Sequence, residues 1–127
     1  MAAGEIFNAA QRNQLDSAVR RAESLCQLRF SVFVGRAESE TRPFAERLHA
    51  TLPAPADSVL ILVDPGVRLL EVVTGAQAHA RLDDHQVELA VLTMKSAFAA
   101  GDLVGGITRG VQQLAEHAQR PPVRRDR

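Results

Sequence analysis

Five consecutive apolar residues, Val59-Leu60-Ile61-Leu62-Val63, followed at once by Asp64-Pro65-Gly66, constrain this chain more than any other feature. A continuous apolar run of strand length suits a strand buried on both faces of a sheet, since a half-exposed strand would alternate. Asp-Pro-Gly is turn chemistry: Asp bonds backbone two residues on, and Pro presets φ at the first central position. The next run, Arg68 to Val73, therefore returns antiparallel beside the first and stops at Thr74-Gly75. After a short connection, Leu82-Asp83-Asp84 opens a long amphipathic helix. Asp83 and Gln86 make a capping box, each side chain satisfying the other residue's backbone N–H. Val87, Ala90, Val91, Met94 and Phe98 form the apolar stripe behind it. Gly101-Asp102 ends this helix and caps a last one carrying Ile107, Val111, Leu114 and Ala118.

Upstream, Asn8 to about Gln27 reads as a helix, because Leu15, Val19, Ala22 and Cys26 recur at three- and four-residue spacing. Leu28 to Val34 reads as a strand with Phe30, Val32 and Val34 on one face, ended by Gly35. Thr41-Arg42-Pro43 carries a cap residue and a first-turn proline, and Phe44, Leu48 and Leu52 follow at spacing four until Pro53 and Pro55 stop the helix. The order is helix, strand, helix, strand, strand, helix, helix. Strands joined through a helix lie parallel with a right-handed crossover. The expected fold is α/β: a small mixed sheet of two parallel strands and an antiparallel hairpin partner, covered by about four helices. The domain runs over residues 1–119, and the Pro- and Arg-rich stretch 120–127 is expected to be a disordered basic tail.

Composition narrows the function classes. A chain of 127 residues is one domain. Fifteen Lys and Arg balance fifteen Asp and Glu, so long-range attraction of the whole molecule to nucleic acid or an anionic membrane is not predicted. Lys95 is the lone lysine. The single Cys26 excludes an internal disulfide, fits a reducing compartment, and sits in the apolar helical stripe. No apolar stretch approaches the ~18 residues of a membrane span, so no span is expected and the expected location is cytoplasmic.

Taken in order, these elements resemble the TPM domain, a small α/β family. The resemblance rests on Val59–Val63, the Arg68-led return strand ending at Thr74-Gly75, the Leu82/Asp84 helix start, and Met94, Phe98, Gly101-Asp102 and Gly105 or Gly106. It covers Glu5 to His117. The resemblance implies a Rossmann-like sandwich and, as in several members, calcium held by acidic loop residues; acid phosphatase activity is attributed to some. The chain departs from the family pattern at Ala3-Gly4-Glu5, where the family has an acidic pair. It departs again at Asp57-Ser58, where an Asn-Gly opens the second strand, and at Gly75-Ala76-Gln77-Ala78-His79, where the family has Gly-x-Gly-Leu-Glu.

Topology places the candidate site. Asp57 opens the second strand and Gly75 closes the third, so both lie at one end of the sheet, where the helix beginning at Asp83-Asp84 also starts. Asp57, Asp83 and Asp84, with His79 and His85 nearby, are the candidate metal residues, and Ca2+ is the cation that suits carboxylates, carbonyls and water. A plainer reading serves the same residues: Asp83 caps its helix, Asp84 favours the positive helix end, and Asp57 is a turn residue. Zinc through His79 and His85 has neither a thiolate nor a repeated spacing behind it.

Other motifs carry less. Asp64 follows an apolar strand, as an aspartyl-phosphate nucleophile does, but it also heads a tight hairpin and has no second Asp two positions later. The glycines from Gly101 to Gly110 lack the Gly-Lys-Ser/Thr of a phosphate loop and read as helix-packing positions. No serine has nucleophile-elbow context. The tail carries Arg120, Arg124, Arg125 and Arg127 against Asp126, with no aromatic platform for bases. Three functions follow as expectations. The first is a non-enzymatic TPM-like interaction module with an unknown protein partner and a weak calcium site. The others are a metal-dependent acid phosphatase acting on phosphate esters and tail-mediated RNA or ribosome binding.

Overall fold

The computed structural model describes residues 7–119; the expected tail at 120–127 lies outside the described residues. Helix α1 spans Ala9–Cys26 and strand β1 Arg29–Val34, followed by α2 over Thr41–Ala50. A 3-10 turn at Pro55–Asp57 leads into β2, Ser58–Asp64, and the hairpin returns as β3, Leu69–Thr74. A four-residue helix α3, Ala76–His79, precedes α4, Asp84–Ala99, and α5, Leu103–Ala118.

The sheet order is β1-β2-β3, with β1 parallel and β3 antiparallel to the central strand. Register pairs Phe30 with Val59 and Val34 with Val63 on one side, and Val59 with Thr74 and Val63 with Leu70 on the other. Every residue of β2 is buried, as its unbroken apolar run requires. Its odd-numbered residues Val59, Ile61 and Val63 enter the larger core, beneath α1, α4 and α5. Leu60 and Leu62 face the other way, against Phe44, Leu48 and Leu52 of the α2 region. Each such side chain taken fully out of water contributes about 1.5–3 kcal/mol, so the central strand anchors both layers. Helix α5 runs between α1 and α4, and Gly106 and Gly110 let it approach Phe98 and Met94 closely.

Local chemistry sets most boundaries. Asn8 and Gln11 form a capping box for α1, and Gln27 ends that helix in the left-handed region at φ 68°. Asp83 and Gln86 form the expected box for α4. Gly101, at φ 84°, turns the chain between α4 and α5, and Asp102 caps the latter by accepting the Gly105 N–H at 2.9 Å.

Two expectations need correction. Thr41 does not cap α2: the Glu40 carbonyl already accepts the Phe44 N–H, so Thr41 lies inside the first turn and Glu40 is the flanking residue, without a side-chain cap bond. The described residues hold five α-helices rather than four, because α3 is too short to show a periodicity. None of the described helices is long and apolar enough to cross a membrane.

Candidate functional site

Asp57, Asp83 and Asp84 do come to the same end of the sheet. The 3-10 turn ending at Asp57 packs against α3, and the Gly75 N–H donates to the Ser58 carbonyl at 2.9 Å, which closes the hairpin there. The Asp83 and Asp84 carboxylates are nonetheless engaged locally. Asp83 Oδ1 accepts the Gln86 N–H at 2.8 Å, and Gln86 Oε1 accepts the Asp83 N–H at 3.1 Å. Asp84 Oδ1 lies 3.0 Å from His79 Nε2, both side chains being well exposed. Asp57 is exposed at the end of its turn, and His85 is exposed on α4. Among the described residues no three His, Cys, Asp or Glu side chains stand together as a metal-holding group. The set therefore does not fit a closed calcium cage, which needs six or more oxygens around one point.

Asp64, at the opposite end, behaves as a turn residue and as more than that. Its Oδ1 accepts the Gly66 N–H at 3.2 Å, the expected short turn bond, while Oδ2 accepts the Ala37 N–H at 3.1 Å. A buried carboxylate with each oxygen on a backbone donor is pinned in place and ties the β1–α2 loop to the hairpin. His49, which no motif marked, is a satisfied core residue whose Nε2 donates to the Ser58 carbonyl at 3.0 Å. Cys26 is buried in the larger core, and burial pushes its thiol pKa up, so it is not an activated nucleophile.

Beside Asp64 lies a feature that sequence reasoning missed. A crevice of about 440 Å3 opens between the β2–β3 hairpin and the junction of α4 with α5. Val63, Leu70, Phe98 and Leu103 supply apolar wall, and Arg68 and Lys95 are its charged lining residues. Both partners were visible singly: Lys95 as the lone lysine, on the helix face of Phe98, and Arg68 as the head of the return strand. Their pairing across 27 positions had no local signal.

Comparison with known proteins places the chain. A family model described as a domain of unknown function, DUF5130, matches residues 2–115. The chain belongs to that family. Two curated relatives of this DUF5130 chain are the uncharacterised proteins Rv2468c and MT2543 from two strains of Mycobacterium tuberculosis. Each is 31% identical over 109 residues, covering 86% of this chain and 65% of the relative. The chain thus spans a little under two-thirds of the length of these relatives. Among solved structures, BA42 from the psychrophilic bacterium Bizionia argentinensis superposes with a TM-score of 0.82 at 16% identity, over 91% of this chain and 83% of BA42. The N-terminal domain of cg2496 from Corynebacterium glutamicum gives 0.74 at 11% identity, over 91% and 76%. At these identities the likeness is one of fold.

Proposed function

We propose that this DUF5130 chain is a non-enzymatic, TPM-like interaction module on a Rossmann-like α/β sandwich. The observation that carries the reading is the employment of its carboxylates. Asp83 is held by the Gln86 N–H, Asp84 by His79, and Asp64 by two backbone donors. A phosphoryl-transfer site needs carboxylates converging on a cation or on the reacting phosphorus, and these diverge into caps and turns. The hairpin also presents apolar side chains for recognition: Val67 is 61% exposed and Leu69 40% exposed. A weak calcium association around Asp57, Asp83 and Asp84 is compatible with this reading, as the TPM resemblance implies.

Two measurements test it. Hydrolysis of p-nitrophenyl phosphate with calcium or magnesium should stay at the buffer rate; turnover abolished by Asp84→Ala would replace this reading with a metal-dependent phosphatase. Calcium titration followed by amide shifts should show association at Asp57, Gly75 and Asp84 no tighter than about 10⁻⁴ M. Micromolar binding lost in the Asp83→Ala/Asp84→Ala variant would point the same way as turnover.

A further inference from the structure

The geometry points to the crevice beside Asp64 as a binding site for a small apolar carboxylate, a molecule with a hydrocarbon body and one terminal anion. It lies at the end of the sheet opposite Asp57, Asp83 and Asp84, and it stands whether or not the module reading does. Its volume of about 440 Å3 is that of a small-molecule pocket, a class that runs from roughly 300 to 1,000 Å3. Its position is also one that open α/β sheets use: β1 and β2 are parallel, and the crevice sits just outside the carboxyl end of β2, where Val63 gives way to Pro65.

Charge decides the ligand class. Among the described residues no acidic one lines the crevice, and the two charged ones that do, Arg68 and Lys95, are both cationic. Among the described residues neither side chain forms an ion pair or hydrogen bond. For Lys95 the reason is legible on its own helix: the positions three and four residues away are Val91, Leu92, Phe98 and Ala99, so no carboxylate is in reach. The acids of the adjoining segments are engaged elsewhere, Asp64 by the Ala37 and Gly66 N–H groups and Asp102 by the Gly105 N–H and Arg109. Leu103 brings the first turn of α5, with its positive dipole end, to the same rim.

Arg68 adds an independent observation. It holds φ at 57°, a left-handed conformation that costs a side-chain-bearing residue roughly 1–2 kcal/mol and that Gly or Asn would adopt more cheaply. The strain is borne by a residue whose planar guanidinium can grip a carboxylate through two parallel N–H bonds. Phosphate esters of sugars or nucleosides suit the site poorly, because their polar bodies would lie against Phe98, Leu70 and Leu103. A carboxylate with an aliphatic or aromatic body satisfies both the wall and the two cations.

Decanoate is the probe, with decanol of the same chain length as the uncharged control, each kept below its aggregation limit. Amide shifts read the whole chain. Reductive methylation with ¹³C places a reporter on Lys95 and keeps its charge. Saturable shifts confined to residues 63–70 and 95–103, a moving Lys95 signal, and decanol binding about tenfold more weakly are expected. Arg68→Gly should keep or raise the melting temperature, because it relieves the left-handed strain, while weakening decanoate about tenfold; Lys95→Gln, on an exposed helical face, should weaken it similarly. An absence of saturable shifts at millimolar decanoate, equal binding of decanol, or unchanged binding in both variants would each overturn the site. So would shifts centred elsewhere on the molecule. An apolar peptide that occupies the crevice through its C-terminal carboxylate while decanoate does not would transfer the surface to a protein partner and also overturn it.

Discussion

A β-carbon on Gly75 would overlap the Pro55 carbonyl oxygen and press on the backbone of Ala56. The residue ends β3 where the chain meets the 3-10 turn, and only a hydrogen fits between the two backbones. Backbone cannot swing aside as a long side chain can, so Gly75→Ala should cost about 1–3 kcal/mol or more, read as a lowered urea midpoint. A change within error would mean that the turn yields freely. In the sequence, Gly75 was legible only as the end of a strand, since Pro55 stands twenty positions earlier. Asp64 divides in the same way. Its bond to Gly66 follows from Asp-Pro-Gly, whereas its bond to Ala37 spans 27 positions and belongs to the folded chain alone.

Helix ends were readable because their chemistry is local. Asp83 and Gln86 are three residues apart, and the box they form was legible from that spacing; Asn8 and Gln11 repeat it at the start of α1. Asp83→Ala should therefore destabilise by about 0.5–2 kcal/mol in thermal melts, the usual loss for an N-cap. Asp84→Ala should do visibly less, since that side chain is almost wholly exposed and meets only an exposed His79. Equal effects would argue that the two carboxylates act on something shared, and would revive a cation there. The start of α2 was misplaced by one residue because Thr41 and Pro43 carry the composition of a start without the cap bond. The β3 edge shows what a pattern cannot: Arg42, on α2, reaches Glu71 at 3.2 Å and the Val72 carbonyl at 2.9 Å, covering part of an otherwise open strand.

At the scale of the whole molecule, Cys26 reports on global opening. It is 1% exposed within the larger core, and burial raises its pKa, so alkylation at neutral pH should be slow and should accelerate with urea in step with unfolding. Rapid labelling of the native protein would show that α1 opens by itself. The sign of its pH effect follows from the same shift. The unfolded thiol ionises first as pH rises, so the contribution to stability is full below the unfolded pKa and is lost progressively above it. Stability in the alkaline range should fall more steeply in the wild type than in Cys26→Ala, compared by urea midpoints. Arg81 is another piece of whole-molecule wiring, donating from the connection between α3 and α4 to the Ala118 carbonyl at the end of α5.

The sequence by itself determined the class of fold, the parallel and antiparallel pairings, the two-faced burial of Val59–Val63, and nearly every helix limit. These depend on interactions within a few residues, or on a periodicity that any packing partner must respect. It also put Asp57 and Gly75 at one end of the sheet, because strand direction leaves no other place for them, with the connection to Asp83 short enough to return there. The cap made by Asp83 could be read from its spacing to Gln86, whereas only the tertiary structure set Asp84 against the His79 ring. It alone set Arg68 and Lys95 on one apolar crevice. Their approach depends on how α4 packs against β3, which is set across the core rather than by anything written at either cation.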